Sequence, residues 1–318
     1  MADTLDIKPE VVDILAALQG EGHDAYIVGG AVRDHLLSLV PKDYDIATSA
    51  TPEEVKTLFG RRARIIGRRF RLVHLHEGRI CYEVSTFRRE PTMDERRGRA
   101  SDNGVMIWRD NVFGDINQDA VRRDFTVNAV YYDPVGGKGI MDFVGGMADL
   151  ESGTVRAIGE PAVRLAEDPV RMLRALKLAG EYGFELESQL ADAIRAQATA
   201  IDQCSPARLF EELLKIYAKP HLGRTLAVLH QHGVLAHFLP ATAAMWQTPT
   251  GDLTRQLIAE RDLRKVAPNY SRSRALAIIT HIAPAIAEHL NWDLANGPWE
   301  YEPGIESVIQ DWLRDFFL

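Results

Sequence analysis

The stretch Tyr26-Ile-Val-Gly-Gly-Ala-Val-Arg-Asp34, followed by Lys42-Asp-Tyr-Asp-Ile46, restricts the possible fold more than any other part of the sequence. The apolar residues at its start predict a strand, and the two glycines after them predict a turn into a helix. The second motif predicts a strand that brings Asp43 and Asp45 back to the same edge. A strand, a glycine turn, a helix and another strand in this order predict a domain of mixed α and β structure.

The two carboxylates of the second motif are two residues apart, so on a strand both point to one face. Their repulsion is tolerable if both are solvated, if one is protonated, or if a divalent cation lies between them. The Gly29-Gly30 turn adds backbone N–H groups that can bind phosphate oxygens, although such a pair is also common turn chemistry. Together the two motifs indicate a site for a nucleoside triphosphate and magnesium.

The chain of 318 residues changes character near residues 150 to 165. Strand-like runs at Arg64 to Ile66, Phe70 to His76 and Ile80 to Phe87 are joined by short turns, which predicts antiparallel pairing within a mixed sheet. A helix is expected over Asp119 to Val130. From Pro161 onward the apolar spacing is helical throughout. The predicted fold class is therefore α+β, with a sheet-containing first part and an all-helical remainder.

Composition narrows the range of partners. The formal net charge is −8, which argues against a protein that coats nucleic acid without specificity. Arginines are nevertheless concentrated in two segments, six of them in Arg61 to Arg71 and five in Arg88 to Arg99. We expect either solvated surface or a local RNA-binding groove there.

Membrane, disulfide and zinc classes are not indicated. No run of residues approaches the length of a membrane span, and the acidic start of the chain does not resemble a signal peptide, so we expect a cytoplasmic protein. Cys81 and Cys204 are far apart and have no nearby Cys or His cluster. His74 and His76 alternate on a predicted strand without a third ligand, and we interpret them as structural or RNA-facing residues.

Gly29 to Asp34 followed by Asp43 to Ile46 resembles the signature of the class II template-independent nucleotidyltransferases. This family contains bacterial poly(A) polymerases and CCA-adding tRNA nucleotidyltransferases. The resemblance continues in the order of the family's motifs, over about residues 25 to 215. The further matching stretches are Tyr82-Glu-Val-Ser-Thr-Phe-Arg88, Arg122-Arg-Asp-Phe-Thr-Val-Asn-Ala129, Asp142-Phe-Val-Gly-Gly146 and Glu167-Asp-Pro-Val-Arg171.

The resemblance implies a catalytic head over residues 1–150, a helical neck that binds base and RNA over 151–218, and a helical body that binds RNA over 219–318. It implies that Asp43 and Asp45 hold two Mg²⁺ ions and that Glu83 assists the ion that activates the RNA 3'-hydroxyl. A carboxylate of Glu83 paired with Arg88 or Arg89 is the simpler alternative.

The same resemblance implies the residues that bind the nucleotide. Arg123 and Asp124 would contact the ribose, Asn128 would face the same side one helical turn later, and Asp168 and Arg171 would recognise the base edge. Ordinary helix capping and ion pairs are the alternatives at each of these places. The full implied set is Gly29, Gly30, Arg33, Asp34, Arg123, Asp124, Asn128, Asp168, Arg171 and Arg174.

Ile65 to Leu75 resembles the stretch that marks bacterial poly(A) polymerases, and Arg208 to Lys215 resembles their neck helix. We therefore expect transfer of AMP from ATP to RNA 3'-ends, in mRNA, small RNA or tRNA, with CCA addition from CTP and ATP as the alternative. A non-catalytic RNA-binding protein on the same scaffold is the hypothesis from another class. The last segment, Trp299 to Leu318, is acidic where a basic tail is typical of that branch. We therefore also expect either weak RNA affinity or reliance on an RNA-degradation or RNA-chaperone partner protein.

Overall fold

A computed structural model describes residues 5–67, 71–90, 112–263 and 270–289, with the side chains of 270–276 excepted. The chain divides into two compact units, Met1–Gly159 and Glu160–Leu318. The predicted neck and body, separated after residue 218, stay a prediction. Residues 68–70, much of the arginine-rich segment beyond Glu90, and the acidic segment from Trp299 lie outside the described residues.

The first unit contains five α-helices, two 3₁₀ turns at Gly60–Arg62 and Thr126–Asn128, and eight strands among its described residues. The helices are α1 (Pro9–Gly20), α2 (Gly30–Leu36), α3 (Pro52–Phe59), α4 (Ile116–Arg122) and α5 (Gly146–Ser152). The strands are β1 (Ala25–Val28), β2 (Asp45–Thr48), β3 (Ala63–Ile66), β4 (Leu72–Glu77), β5 (Ile80–Thr86), β6 (Val130–Asp133), β7 (Gly139–Asp142) and β8 (Thr154–Val155).

Seven of these strands form one sheet in the order β3-β4-β5-β2-β1-β6-β7. β2 and β5 run parallel, and every other neighbouring pair is antiparallel. The prediction of a mixed sheet with helices is confirmed. The crossover from β2 through α3 and the β3-β4 hairpin brings β5 beside β2 as its parallel neighbour, which a simple hairpin cannot do.

One face of the sheet holds both apolar packing and the predicted site. Tyr26, Val28, Ala47 and Tyr131 share this face through direct cross-strand pairing, and Ala120 from α4 packs against them. Asp45 pairs with Val28 and therefore projects from the same face. The packing of α4 on this face fixes the position of the segment that follows it.

Two local predictions differ from the structure. The helix expected over Asp119 to Val130 ends at Arg122, because Arg123 is extended with ψ of 167° and the chain then makes a 3₁₀ turn into β6. The sequence pattern did not reveal β6 or β7. Asp43 lies before β2 and not on it, although Tyr44 between the two acids is buried while Asp43 and Asp45 are exposed.

Among its described residues, the second unit consists of α-helices, a 3₁₀ helix at Ala198–Gln203 and the short strand β9 (Glu185–Leu186), which the sequence pattern did not predict. Within the part predicted to be helical from Pro161 onward, Pro169 separates the helix Pro161–Glu167 from the helix Val170–Tyr182. The helices are α6 (Pro161–Glu167), α7 (Val170–Tyr182), α8 (Ser188–Gln197), α9 (Pro206–Tyr217), α10 (Leu222–Gln231), α11 (Leu235–Phe238), α12 (Pro240–Met245), α13 (Pro249–Leu263) and α14 (Tyr270–His289). No described helix is long and apolar enough to cross a membrane.

A buried histidine joins three helices of this unit. His281 on α14 is fully buried, its Nε2 lies 3.0 Å from the hydroxyl of Thr242, and its Nδ1 shares a hydrogen bond with Tyr217. Burial lowers the pKa of His281 to about 4, because the charged imidazolium would lose its hydration. The folded protein therefore keeps this ring neutral.

We expect the free energy of unfolding to fall as the pH decreases from about 6.5 to about 4. In this window the unfolded chain binds a proton at position 281 and the folded chain does not, so acid favours unfolding by up to about 3 kcal/mol. Denaturant unfolding at several pH values should show this slope in wild type, a smaller slope in His281→Asn, and the wild-type slope in His76→Gln, whose side chain is exposed. An imidazole of His281 that titrates above pH 6 by NMR would contradict the assignment.

Candidate functional site

Asp45 lies at the start of β2 and pairs directly with Glu83 on the parallel strand β5. Residues paired in this way project from the same face, so the two carboxylates are neighbours across the sheet. Glu83 Oε1 lies 3.7 Å from His74 Nε2, whereas the Arg88 guanidinium donates to the carbonyl of Arg71 at 3.0 Å. Among the described residues Glu83 contacts His74, and the simpler alternative of an ion pair with Arg88 or Arg89 is not seen.

Asp43 is the most open of the three acids. Its side chain is 78% exposed and lies 3.7 Å from the ammonium group of Lys42. Tyr44 is buried, with its hydroxyl 3.0 Å from His35 Nε2. The buried tyrosine fixes the backbone between the two acids, so Asp43 and Asp45 remain on the outward side.

The environment of Asp45 disfavours a second negative charge. Its pKa is raised to about 6, first by loss of hydration and then by the charge of Glu83, with a smaller contribution from Asp43, while Arg123 opposes the shift. Asp45 retains exposed surface, yet protein atoms surround its carboxylate closely enough to weaken its hydration. Such an accumulation of carboxylates is relieved by a cation.

The donor set fits a hard divalent cation. Magnesium prefers oxygen ligands and in nucleotide sites takes one or two carboxylates, with phosphates and water in the remaining positions. No three Asp, Glu, His or Cys side chains of the described residues are arranged to hold a metal by themselves. The carboxylates would therefore hold part of a coordination shell that nucleotide phosphates and water complete.

Gly29 connects β1 to α2 with a φ of 78°, a conformation that side chains with a β-carbon rarely adopt. A β-carbon here would lie 3.9 Å from both Arg123 Nη1 and Asp45 Oδ2 and 3.7 Å from the carbonyl oxygen of Asn128. The glycine turn therefore lies beside Asp45 at the start of β2 and beside Arg123 and Asn128, which follow α4. The N–H of Gly29 already donates to Val130 at 3.3 Å, so a phosphate would rely on other donors.

Arg33 and Asp34 form an ion pair, and Arg33 also binds Asn128 in the stretch from Arg122 to Ala129. Arg33 is buried and donates to Asp34 Oδ1 through Nε at 3.0 Å and Nη2 at 2.8 Å. Its Nη1 donates to Asn128 Oδ1 at 2.5 Å, and Asn128 Nδ2 reaches Asp124 Oδ1 at 3.4 Å. Although Asp124 and Asn128 are not on one helix, the 3₁₀ turn between them brings their side chains together.

Arg123 is held by two residues that the sequence interpretation did not assign to the site. Its Nε and Nη2 lie 3.2 Å and 2.9 Å from Asp119 Oδ2, and its Nε donates to the Tyr131 hydroxyl at 3.0 Å. The Tyr131 hydroxyl donates to Asp119 Oδ2 at 2.7 Å, and Asp119 Oδ1 accepts the N–H of Arg88 at 3.1 Å. The spacing of Asp119 and Arg123, four residues apart, was the sequence signal for this pair.

This network keeps the guanidinium charged beside Asp45. Burial opposes the charge on Arg123, but Tyr131 and Asp119 outweigh that effect and raise its pKa. Burial also raises the pKa of Tyr131, so the phenol stays neutral and can donate. The guanidinium of Arg123 is therefore a fixed positive group close to Asp45.

The residues predicted to recognise the base lie in the second unit. Asp168 follows α6, its Oδ1 accepts the N–H of Val170 at 3.3 Å, and its Oδ2 accepts from Arg208 of α9 at 2.7 Å. Arg171 pairs with Glu167 at 3.0 Å and not with Asp168. Arg208 is therefore a partner that the sequence interpretation did not place beside this motif.

The other contacts around Arg171 are typical of the start of an ordinary helix. Arg171 Nη1 also donates to the carbonyl of Arg164 at 2.6 Å, and Arg164 pairs with Glu167 at 2.8 Å. Arg174 is exposed one turn further along α7. The capping and ion-pair alternatives are thus both present, and a role in base recognition stays a prediction.

Comparison with known proteins identifies the family. Residues 25–156 match the family described as the poly A polymerase head domain. Residues 183–245 match the family described as the probable RNA and SrmB-binding site of polymerase A. The first match includes Gly29 to Asp34, Asp43 to Ile46, Glu83 and the network around Arg123.

Three relatives illustrate the similarity. Poly(A) polymerase I of Haemophilus influenzae is 40% identical over 255 residues, which are 80% of this chain and 56% of the relative. A CC-adding tRNA nucleotidyltransferase of Halalkalibacterium halodurans is 34% identical over 243 residues, 76% of this chain and 57% of the relative. The solved CCA-adding enzyme of Bacillus stearothermophilus in complex with CTP is 29% identical, with a TM-score of 0.65 over 90% of this chain and 71% of that one.

The chain spans a little over half the length of these curated relatives. Within that span it carries both matched regions, and the motifs expected from the sequence lie inside or beside them. The chain belongs to the class II template-independent nucleotidyltransferase family, which contains the bacterial poly(A) polymerases and the CCA-adding enzymes.

Proposed function

We propose that this protein transfers AMP from ATP to the 3'-hydroxyl of RNA in a magnesium-dependent reaction that releases pyrophosphate. The observation that carries this proposal is the convergence of Asp45, Glu83, Gly29 and Arg123 around the start of β2, in the middle of the sheet. Two neighbouring carboxylates beside an open glycine turn and a fixed guanidinium match the needs of phosphoryl-type transfer, which depends on positioning and charge neutralisation.

Asp43 and Asp45 would hold the divalent cations, with Glu83 next to the ion on its side. Two bound Mg²⁺ ions would lower the pKa of the attacking hydroxyl and neutralise the triphosphate. The protein's own residues then orient the nucleotide. Asp119 and Tyr131 hold Arg123 beside Gly29, where the ribose and phosphates would bind, and Gly29 itself adds no side chain to that place.

Arg33, Asp34, Asp124 and Asn128 form the second support of this nucleotide position. Their linked hydrogen bonds leave the Asn128 carbonyl beside Gly29, so the ribose would meet a pre-formed polar surface. In the second unit we assign base selection to Asp168 and Arg171, with Arg174 on the base or phosphate. Arg208 would orient Asp168 through its 2.7 Å contact.

The choice of AMP tailing over CCA addition rests on the similarity to poly(A) polymerase I and on the stretch from Ile65 to Leu75, of which residues 68–70 lie outside the described part. CCA addition is the second candidate, because CCA-adding and CC-adding enzymes are also among the relatives. Carboxylates at all three acidic positions speak against a purely non-catalytic RNA-binding protein.

The setting of the reaction belongs to the same proposal. RNA 3'-ends are the acceptors, a cytoplasmic location provides ATP and RNA, and a protein partner from RNA degradation or an RNA chaperone would compensate for the acidic composition. We also propose that residues 1–150 act as the head, 151–218 as the neck and 219–318 as the body.

Purified protein incubated with labelled RNA and each nucleotide triphosphate separately should produce a long tail with ATP and magnesium only. Electrophoresis of the products provides the measurement, and EDTA should abolish the tail. Addition limited to C, C and A on a tRNA that lacks those residues would replace this proposal with the second candidate. No addition with any triphosphate would support the non-catalytic hypothesis.

Asp45→Asn and Asp43→Asn should each lower kcat by at least about 100-fold, because each removes an anionic oxygen ligand worth several kcal/mol. Circular dichroism should show an unchanged fold, and ATP with magnesium should raise the melting temperature less than in wild type. Asp13→Asn, an exposed carboxylate on α1, is the matched control and should retain activity. Turnover near wild type in Asp45→Asn would rule out its metal role.

Asp119→Asn should raise the KM for ATP on the order of tenfold, because Arg123 loses the anion that fixes and neutralises it. Steady-state kinetics with ATP varied at saturating RNA provides the measurement, while the KM for RNA should change little. Asp115→Asn removes the same charge from the start of the same helix and retains a good cap, so it should behave as wild type. Equal values of KM for ATP in the two variants would contradict a positioning role for Asp119.

A further inference from the structure

A row of acidic and basic side chains crosses four strands of the sheet at one level. Asp45 on β2 pairs with Glu83 on β5, Glu83 pairs with His74 on β4, and His74 pairs with Arg64 on β3. Direct cross-strand partners project from the same face, so the four side chains form a continuous row on the face that carries the acidic site. We refer to these four residues as the strand row.

The order of the strands places different groups on the two sides of Asp45. Toward β1 and β6 lie Gly29 and, beside it, Arg123, which serve the nucleotide in the proposed function. Toward β5, β4 and β3 the row continues through Glu83 and His74 to Arg64. The two sides of the acidic site are therefore distinct in position, and Arg64 lies on the side away from the glycine turn.

The guanidinium of Arg64 is available for a ligand. Its residue is exposed and makes no ion pair with any residue between 5 and 67, or elsewhere in the described parts of the chain. Two neighbouring arginines are occupied, since Arg62 pairs with Glu77 and Arg71 pairs with Glu53. A planar guanidinium on an open sheet surface suits a phosphate group.

His74 connects this cation to the acidic end of the row. Its ring lies 3.7 Å from Glu83 Oε1, and its side chain is 32% exposed. A ring in this place separates the carboxylates from the guanidinium of Arg64, so Arg64 is not consumed as their counter-ion. The row thus changes from negative at Asp45 and Glu83 to positive at Arg64.

We propose that Arg64 binds a backbone phosphate of the RNA strand that is being extended, upstream of its 3'-end, with His74 lining the path between that phosphate and the acidic site. The proposal rests on the proposed function, because the acidic site must act on an RNA 3'-hydroxyl. Three strand steps place Arg64 about 14 Å from Asp45. A stacked strand rises about 3.4 Å per nucleotide, so the contact falls about four nucleotides from the 3'-end.

The test is a comparison of Arg64→Ala with Arg79→Ala. Arg79 lies at the exposed turn between β4 and β5, off the strand row, and its replacement removes the same charge from the same part of the sheet. The KM for RNA is measured with oligoadenylate primers of two, four, six and ten nucleotides at saturating ATP, and the KM for ATP is measured separately.

Arg64→Ala should raise the KM for primers of six and ten nucleotides by about tenfold, because a charge-assisted contact to phosphate is lost. The effect should vanish with the dinucleotide, which cannot reach Arg64. The KM for ATP and kcat at saturating primer should stay at wild-type values, and Arg79→Ala should match wild type. A raised KM for ATP in Arg64→Ala would instead assign this arginine to the triphosphate and overturn the proposal.

A binding measurement separates this inference from the activity itself. Fluorescence anisotropy with a labelled ten-nucleotide RNA, without ATP, should show weaker binding by Arg64→Ala and a slope of log K against log salt that is smaller in magnitude by about 0.7, the value for one single-strand phosphate contact. Wild-type affinity and slope in Arg64→Ala would overturn the proposal even if the enzyme is active. If the salt slope is smaller in Arg64→Ala but the wild-type protein transfers no nucleotide, the RNA contact of Arg64 stands and the proposed function is rejected.

Discussion

The parallel pairing of β2 with β5 is the constraint on which the rest of this site depends. It places Asp45 directly beside Glu83 and raises the pKa of Asp45 to about 6 by loss of hydration and by like charge. Two acids so close are costly unless a cation compensates them. Positive charge beside Asp45 and Glu83 therefore stabilises the folded protein, and the glycine turn next to Asp45 adds no side chain there.

Arg123 supplies positive charge beside these acids, and other side chains fix its position. Arg123 is held by Asp119 and Tyr131, and Tyr131 belongs to the apolar cluster on the same face of the sheet. Because Asp119 is on α4 and Ala120 of that helix packs into the cluster, core packing and the aim of the guanidinium depend on each other. A stable core and a correctly oriented site are consequently products of the same contacts.

Strand order divides the surroundings of Asp45 into two chemical regions. Gly29 and Arg123 lie toward β1 and β6, whereas Glu83, His74 and Arg64 follow one another toward β3. In the proposed function, the triphosphate and the RNA would approach Asp45 and Glu83 from these two sides. The sequence pattern offered no metal-ligand partners for His74. The structure places His74 between Glu83 and Arg64 in the strand row.

The sequence by itself determined the motifs, the mixed sheet and the change to helical structure near residue 160, because these follow from local spacing and turn chemistry. The helix predicted over Asp119 to Val130 was wrong beyond Arg122, because the backbone of Arg123 is extended there and its side chain is held by Asp119 and Tyr131. The sequence also could not pair Asp168 with Arg208, since these residues are 40 positions apart. Only the tertiary structure decided which charges meet, because strand register and helix packing bring distant residues together and local sequence does not encode those distances.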